Sequence, residues 1–598
     1  MAVLSRDDIN FLLFDWLKLE ASFSRARFAE HSVEAVGALL DLAAELAEQE
    51  FLPHYRKGDQ LEPRLVDGAV LVLPEVGAAV RAYIAAGFVG GALPTRVGGA
   101  QLPYVVHSAA MAHFFAANIG AAAYSMLTVA NANLLASFAS EAQIEAFLKP
   151  QLDGRALGTM CLSEPQAGSS LGDIRTRAEG DGEDALGPRF RLFGNKMWIS
   201  GGDHDIAENI MHLVLAKEVD PGGKLVAGSH GISLFITPKV LPDGQRNDIV
   251  VAGLNHKMGY RATSNCLLNF GEGALRPYDK SGAVAYRIGE TGKGLAAMFH
   301  MMNEARIGVG LGAAALSCRS YLHALHYACE RTQGRLQDEK DPTLPPVKLI
   351  RHPDVRLMLL AQKAYAEGGL ALVLYCAALV DEVSSSEDEA ARHDAASLLG
   401  LLTPIAKTWP SEWGLVANDL AIQVHGGYGY TRDFDVEQLY RDNRLNPLHE
   451  GTTGIQAIDL VGRKILRDRS DAMGLLRGRI EATLNQAPCA FEAEREALRQ
   501  GWEKLERTIA VIRDRNDVGK AMWNATPLLR AFGHVVVAWL WLDQAVCASR
   551  RHGKQAFTEG KLGAVRYFMR YELPKIDAWL AVAHDGEGVA VLLPDEAF

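Results

Sequence analysis

The chain has 598 residues, of which 48% are hydrophobic and 22% are charged, a composition typical of a globular protein with more than one core. Its formal net charge of −11 disfavours a general role on nucleic acid or on an anionic membrane surface. The seven cysteines form no Cys-x-x-Cys pairs, and the 18 histidines show no metal-ligand spacing. The sequence therefore predicts reduced thiols, a cytoplasmic location and no metal site.

The apolar segments do not predict a membrane protein. Residues 5–9, Ser-Arg-Asp-Asp-Ile, are already charged where a signal peptide needs an apolar core. One strongly apolar run, residues 535–542, is much shorter than the roughly 20 residues that cross a bilayer. We expect this run to form a buried helix, and we expect no transmembrane segment.

The first part of the chain, from Phe11 to about Lys149, has a helical pattern. Apolar residues recur there at three- and four-residue steps, as one buried helix face requires. The clearest series is Val33, Val36, Leu39, Leu40, Leu42 and Ala43. A glycine-rich stretch at 90–99 predicts a loop, and the alanine-rich stretch at 111–139 predicts a closely packed helix.

After Gly154 the pattern changes to short apolar runs separated by Gly, Asp and Pro. The runs at 190–194, 211–215, 232–236 and 266–270 predict strands of a small antiparallel sheet or barrel. Long helical patterns return from 292 to 467, notably at 306–333 and 355–382, with a connection at 336–353. Beyond Asp471 a further helical block follows, in which Trp502, Leu505, Ile509 and Ile512 share a face.

These patterns predict a mainly α protein with a central β domain. The predicted domains are an N-terminal helical domain (1–157), a middle β-barrel (158–283), a C-terminal four-helix bundle (284–468) and an additional helical domain (469–598). A ligand site is expected where a sheet meets helices.

One segment presents a lone carboxylate in a tight turn that is otherwise uncharged. Glu450 follows Leu448 and precedes Gly451 and two threonines. Partial desolvation there would raise the pKa of Glu450 and make it a base near neutral pH. Gly451 leaves a ligand room to approach the backbone. The alternative is that Glu450 caps a helix starting near Thr453.

A series of short segments resembles the acyl-CoA dehydrogenase family, in the same order, from about Phe88 to Leu466. They lie at 93–99, 149–154, 161–169 (Cys-Leu-Ser-Glu-Pro-Gln-Ala-Gly-Ser), 196–202 (Lys-Met-Trp-Ile-Ser-Gly-Gly), 257–259, 303–306, 330–333, 423–430 and 450–452. The segment before Phe11 and the block after Asp471 resemble the enlarged bacterial subgroup that includes 3-(methylthio)propionyl-CoA dehydrogenases and some fatty-acyl-CoA dehydrogenases.

The resemblance implies a reaction and a cofactor. Removing two hydrogens across Cα–Cβ of an acyl thioester needs a base and a hydride acceptor, and no side chain accepts hydride. The resemblance supplies FAD as the acceptor and Glu450 as the base, giving a trans-2-enoyl-CoA and passing electrons to electron-transfer flavoprotein. The family's thioester oxygen lies between the base's own backbone N–H and a ribityl hydroxyl of the cofactor, an oxyanion-hole arrangement.

The resemblance also assigns contacts to the flavin of the same chain. Trp198 is at the position where the family packs an indole against the flavin, with a core strand tryptophan as the alternative. Ser200 stands where the family often has Thr. Further contacts are implied for Leu162, Ser163, Thr452 and Gly454, although Gly454 departs from a common Gln.

Other positions point to substrate and to a second subunit. Ser169 and Arg306 match residues that contact acyl-CoA, and Gly451 adjoins the base. The alternative for Ser169 is a simple turn, and the alternative for Arg306 is a surface ion pair. A further set matches contacts to the FAD of a neighbouring subunit, which predicts at least a homodimer: Arg331, Gln333, Gln423, Gly426 and Gly427.

Several alternatives remain open at this stage. An acyl-CoA oxidase shares the base and the flavin but is reoxidised by oxygen. A DNA-binding flavoprotein relative would need a basic terminal domain, whereas the block after Asp471 is evenly balanced in charge. His449 and His425 are interpreted as packing or solvated histidines. Medium, long, branched and methylthiopropionyl chains all remain possible substrates.

Overall fold

The computed structural model describes residues 2–598 except 221, 339, 340, 342 and 469, and it excludes the side chains of 299–302. The chain divides into two compact units. Unit 1 comprises residues 1–35, 104–112 and 306–598, and unit 2 comprises residues 36–103 and 113–305.

The α-helices account for most of the regular structure. In the described part of the chain they are α1 Arg6–Asn10, α2 Val33–Leu46, α3 Tyr55–Gln60, α4 Pro74–Ala85, α5 Tyr104–Phe138, α6 Glu141–Gln143, α7 Lys149–Leu152, α8 Gly294–Glu330, α9 Pro353–Ser385, α10 Glu389–His425, α11 Val436–Asn443, α12 Thr453–Asp459, α13 Ala472–Gln486, α14 Glu492–Asp514, α15 Val518–Trp523, α16 Ala525–Ser549, α17 Gln555–Tyr567, α18 Ile576–Asp585 and α19 Val589–Leu592.

The strands of unit 2 form a hairpin and a barrel. They are β1 Arg64–Val66, β2 Ala69–Leu71, β3 Ala156–Cys161, β4 Arg177–Asp184, β5 Gly187–Ser200, β6 Asn209–Glu218, β7 Ile232–Pro238, β8 Ile249–Leu254, β9 Asn265–Phe270 and β10 Ala283–Ile288. The pairing order β10-β7-β6-β4-β5 closes on itself because β10 also pairs with β5. Strands β9 and β8 extend the sheet beyond β5, and β3 pairs with β6.

The fold predicted from the sequence is confirmed: along the chain, helical segments precede and follow a central β domain, and a further helical block comes last. The runs at 190–194, 211–215, 232–236 and 266–270 lie in β5, β6, β7 and β9. Two pairings, β3 with β6 and β4 with β6, are parallel, so the expectation of a purely antiparallel sheet was wrong.

Two local predictions also need correction. Leu42 is 40% exposed because the buried stripe of α2 runs through Val36, Leu40 and Ala43. The region predicted as all helical contains the hairpin β1–β2, whose turn residues Asp67 and Gly68 both have positive φ. An Asp-Gly pair between apolar residues is a hairpin signal that the sequence already carried.

The apolar run at 535–542 is buried within α16, as expected, and α14 buries its predicted face. Among the described residues, three helices are long and apolar enough to cross a bilayer by length and composition alone. They are Tyr104–Phe138, Pro353–Ser385 and Ala525–Ser549, and 72%, 61% and 89% of their most apolar windows are buried inside the protein.

Candidate active site

The turn that carries Glu450 lies in unit 1 between α11 and α12, and its backbone is strained. Glu450 has φ +52° and Gly451 has φ +89°, so consecutive residues occupy the left-handed region. For a residue with a side chain this conformation costs about 1–2 kcal/mol. The cap of α12 is Thr452, whose hydroxyl accepts the Ile455 N–H at 3.4 Å. Glu450 is therefore not the helix cap, and its strain needs another explanation.

Two buried side chains hold the carbonyl groups of this turn. Lys407 of α10 donates from Nζ to the Gly451 carbonyl at 2.7 Å. Gln456 of α12 donates from Nε2 to the Glu450 carbonyl at 3.0 Å. A hydrogen bond from a charged donor contributes about 1.5–3 kcal/mol, enough to offset the strain at Glu450.

A chain of buried amides fixes the residues before the turn. Asn443 donates to Asn418 at 2.5 Å, and Asn446 donates to the side-chain oxygen of Asn443 at 2.9 Å. His449 Nε2 lies 3.1 Å from the side-chain oxygen of Asn446. Burial lowers the pKa of His449 to about 3, and nearby Lys407 acts in the same direction. His449 is therefore a neutral packing residue, as the sequence predicted.

The electrostatic surroundings of Glu450 suit a base that is charged but poorly solvated. Burial raises the pKa of Glu450, while Lys407 and Arg306 act to lower it. Burial also lowers the pKa of Lys407 to about 8, although Glu450 partly opposes this effect. Arg306 donates from Nη1 to Asp459 at 2.7 Å, and this ion pair is buried rather than on the surface.

The N–H of Glu450 is available as a donor. Among the residues that the structure describes, no acceptor lies within hydrogen-bond range of this N–H. The carbonyl groups of Gly451 and Glu450 already accept hydrogen bonds from Lys407 and Gln456. The Glu450 N–H is therefore a group of this turn that can bind the acceptor atom of a ligand. A free N–H beside a carboxylate is the pair of groups that the predicted proton abstraction requires.

Unit 2 presents an exposed indole on a strained strand. Trp198 has φ +66° and is 59% exposed. It lies in a bulge of β5, where the pairing with β9 shifts register between Lys196 and Ile199. An exposed ring on strained backbone fits a site built to cover a planar aromatic group, so the residues present here fit the isoalloxazine of FAD.

A buried ion pair joins this bulge to the loop after β3. Lys196 donates from Nζ to the Leu162 carbonyl and to Glu164 Oε1, both at 3.0 Å. The Met197 N–H donates to the Ser163 carbonyl at 3.0 Å. Leu162 and Ser163, predicted to contact flavin, are thus fixed relative to Trp198 within unit 2.

The remaining predicted residues of unit 2 lie at accessible positions. Ser200 Oγ accepts a hydrogen bond from Asn265 at 3.3 Å and stays partly exposed. Ser169 is exposed in the bend after Gly168, where an added Cβ at 168 would meet no described atom within 4 Å. Both positions leave room for a ligand.

A separate exposed surface of unit 1 carries the residues predicted to reach a neighbouring subunit. α10 ends at His425 and is followed by its C-cap Gly426, which has φ +61°. An added Cβ at Gly426 or at Gly427 would meet no atom of the described residues within 4 Å. Arg331 lies over the Tyr428 ring at 5.8 Å. Arg331, Gln333, Gln423, Gly426 and Gly427 are all exposed.

Other predicted positions have simple local explanations. Gly454 is exposed in the first turn of α12. Buried His425 places its ring 4.3 Å from that of Tyr327 and bonds the Ala421 carbonyl, so it is a packing residue as predicted. The sequence reasoning assigned no role to Lys407 or Gln456. The only signal for Lys407 was a lone cation within an apolar helical segment.

Comparison with known proteins identifies the family. Models for the N-terminal, middle and C-terminal domains of acyl-CoA dehydrogenases match residues 34–155, 159–272 and 292–466. A model described as acetyl-CoA dehydrogenase C-terminal like matches 476–594. The chain therefore belongs to the acyl-CoA dehydrogenase family, and it is an FAD-dependent oxidoreductase.

Its relatives cover nearly the whole chain. It is 33% identical to 3-methylmercaptopropionyl-CoA dehydrogenase of Ruegeria pomeroyi, over 95% of this chain and 94% of the relative. It is 31% identical to the broad-specificity linear acyl-CoA dehydrogenase FadE5 of Mycobacterium tuberculosis, over 99% of both. The fold is similar to that of an FAD-complexed acyl-CoA dehydrogenase from Bacillus anthracis, with TM-score 0.74 and 20% identity over 95% of this chain and 90% of that one.

Proposed function

We propose that the enzyme converts an acyl-CoA thioester to its trans-2-enoyl-CoA, with Glu450 as the base that removes the α-proton. The observation that carries this proposal is the turn itself: a desolvated carboxylate whose own N–H has no acceptor among the described residues. The same N–H would donate to the thioester oxygen and stabilise the negative charge that develops when the α-proton leaves.

FAD supplies the acceptor for the β-hydride when it is bound. Leu162, Ser163, Trp198 and Ser200 of unit 2 would hold it, and the contacts expected of Thr452 and Gly454 stay predictions. Trp198→Ala is expected to lower the flavin content of the purified protein, whereas Trp198→Phe, which keeps a ring, retains more. Equal flavin content in the two variants would contradict ring packing.

The substrate class rests on the relatives. They include a 3-methylmercaptopropionyl-CoA dehydrogenase, a broad-specificity linear acyl-CoA dehydrogenase and a butyryl-CoA dehydrogenase. We propose an unbranched acyl-CoA, and the substrate contacts expected of Ser169 and of Arg306 stay predictions. A panel of acyl-CoA lengths assayed with an artificial electron acceptor tests this. Preference for a branched chain would contradict it.

We propose electron-transfer flavoprotein as the electron acceptor. One similar solved structure is described as an electron transferring flavoprotein of Acidaminococcus fermentans, and one relative as a subunit of a caffeyl-CoA reductase–Etf complex. The test is anaerobic bleaching of the flavin by substrate, followed by admission of air. Slow reoxidation without peroxide supports the dehydrogenase, and fast peroxide formation identifies an oxidase.

We propose a homodimer in which Arg331, Gln333, Gln423, Gly426 and Gly427 reach the flavin of the partner chain. Their exposure and their open backbone support this arrangement. Arg331→Ala is then expected to lower flavin content although Glu450 is intact. Light scattering after gel filtration tests the assembly, and a monomer that retains FAD would contradict it. The cytoplasmic location stays a proposal, supported by the seven free thiols.

A further inference from the structure

Lys407 is a buried cation at a position that packing alone does not explain. Its side chain is fully buried on α10, in a segment whose neighbours Ile405, Ala406 and Trp409 are also buried. A buried ammonium is unfavourable unless it is paired or hydrogen-bonded. An apolar residue would fill the same space on α10 without this penalty, so the charge points to a role beyond packing.

The ammonium of Lys407 is directed at the turn of the base. It donates to the Gly451 carbonyl at 2.7 Å, the residue immediately after Glu450. Gln456 holds the preceding carbonyl from the other side of the same turn, and its Oε1 is buried without a hydrogen bond in the described structure. Lys407 is thus the charged member of the pair that holds the turn.

We propose that Lys407 is a positioning residue for the reaction: its ammonium, bonded to the Gly451 carbonyl at 2.7 Å, fixes the Glu450–Gly451 turn and places a positive charge beside it. This inference rests on the proposed role of Glu450 as the base. Lys407 itself transfers no proton and contacts no substrate atom in this account.

Other charged groups act on the same site and must be separated from Lys407. Arg306 also acts on Glu450, but Asp459 pairs with it at 2.7 Å. Glu412 acts on Lys407 from the same helix and is itself paired with Arg530 at 3.0 Å. Both groups are thus already balanced by partners, which leaves Lys407 as the cation whose removal changes Glu450 most.

His449 completes the set of titratable groups around Lys407. Its pKa is lowered to about 3 by burial and by Lys407, so it stays neutral in the working pH range. A change in the pH dependence of the reaction near neutrality therefore reports on Glu450 and Lys407 rather than on this histidine.

The test is the pH dependence of anaerobic flavin bleaching by acyl-CoA in Lys407→Met and in Lys407→Gln. Both variants remove the charge, and Gln keeps a donor group. Because Lys407 acts to lower the pKa of Glu450, removing its charge should move the acidic limb of the pH–rate profile toward alkaline pH, by up to about 1–3 pH units. On the acidic limb the rate should fall about tenfold for each pH unit of that shift, and high pH should restore most of it. The flavin spectrum should not change.

The control is Lys464→Met, which removes a lysine charge from the same unit at a residue that does not act on Glu450. The acidic limb of its pH–rate profile should lie at the same pH as that of the wild type. If the acidic limb of the pH–rate profile stays at the wild-type pH in either folded Lys407 variant, the proposal is overturned. This holds even if the rate falls by the same factor at every pH, because such a fall indicates lost packing. If the wild-type flavin is not bleached by any acyl-CoA, the proposed function itself has failed, which is a different result.

Discussion

Gly451 is the residue at which the turn of the base depends most strictly on the absence of a side chain. Its φ is +89°, and an added Cβ would lie 2.7 Å from Nε2 of Gln456. That amide also holds the Glu450 carbonyl, so a clash would displace the base through its backbone. An alanine there would adopt a disfavoured backbone conformation, and the Gln456 amide would have to shift to admit its Cβ.

Gly451→Ala should slow flavin bleaching by acyl-CoA about tenfold or more, since about 1.4 kcal/mol of strain corresponds to a factor of 10. The measurement is stopped-flow absorbance under anaerobic conditions. Gly478→Ala in α13 is the matched control, because a Cβ there meets no described atom within 4 Å. Equal rates in the two variants would show that the turn tolerates a side chain.

The loop after β3 and the bulge of β5 act as one element because Glu164 and Lys196 are buried together. Glu164 accepts hydrogen bonds from the Arg175 N–H at 2.7 Å and the Thr176 N–H at 3.0 Å. Burial acts to raise the pKa of Glu164, but Lys196 and these donors outweigh it and lower that pKa to about 2.

Lys196→Met should destabilise unit 2 and release flavin, because removing one partner of a buried ion pair costs about 3–5 kcal/mol. The double variant Glu164→Gln/Lys196→Met should recover part of this loss, as followed by urea unfolding. Since the folded pKa of Glu164 lies below its ordinary 4.5, its stabilisation is present above pH 4.5 and is lost as pH falls toward 2. A double variant with a lower urea midpoint than Lys196→Met would contradict this account.

At the level of the whole chain, the N-terminal segment and the additional helical domain are joined within unit 1. Lys561 of α17 pairs with Asp8 of α1 and with Glu367 of α9, the latter at 2.9 Å. Its ammonium lies 5.2 Å from the ring centres of Phe11 and Trp541. The two segments that extend the common family core are therefore held to α9 by one buried cation.

Lys561→Met should lower the urea midpoint of unit 1 strongly, because it leaves Asp8 buried without its ion-pair partner and leaves Glu367 with Lys363 alone. Adding Asp8→Asn should recover part of the loss. Lys554→Met breaks only the exposed pair with Asp7 and should change stability by less than about 1 kcal/mol. Similar midpoints for the two lysine variants would contradict a structural role for the buried cluster.

The sequence predicted the fold and singled out a candidate base because both depend on local order. Alternating and helical patterns located the barrel strands and the long helices, and the ordered motifs identified Glu450 and Trp198. Thr452 was predicted as a cofactor contact, and the structure adds that it caps α12. The ligand contacts assigned to the site residues stay predictions until a flavin- or substrate-bound form is measured.

What the sequence could not predict depends on contacts between distant segments. Lys407 and Gly451 are 44 residues apart, and Lys196 and Glu164 are 32 apart. A lone lysine in a helix is normally a solvated residue, so its burial appears only when the packing is known. The positive φ of Trp198 follows from a register shift, which depends on its pairing with β9.

The central claim is that Glu450 removes the α-proton, and solvent exchange of that proton in Glu450→Gln tests it most directly. The variant should keep FAD with an unchanged absorbance spectrum, while α-proton exchange and flavin bleaching fall by about 10²–10⁴-fold, the usual contribution of a positioned base. Exchange at the wild-type rate in a flavin-loaded Glu450→Gln enzyme would contradict the account.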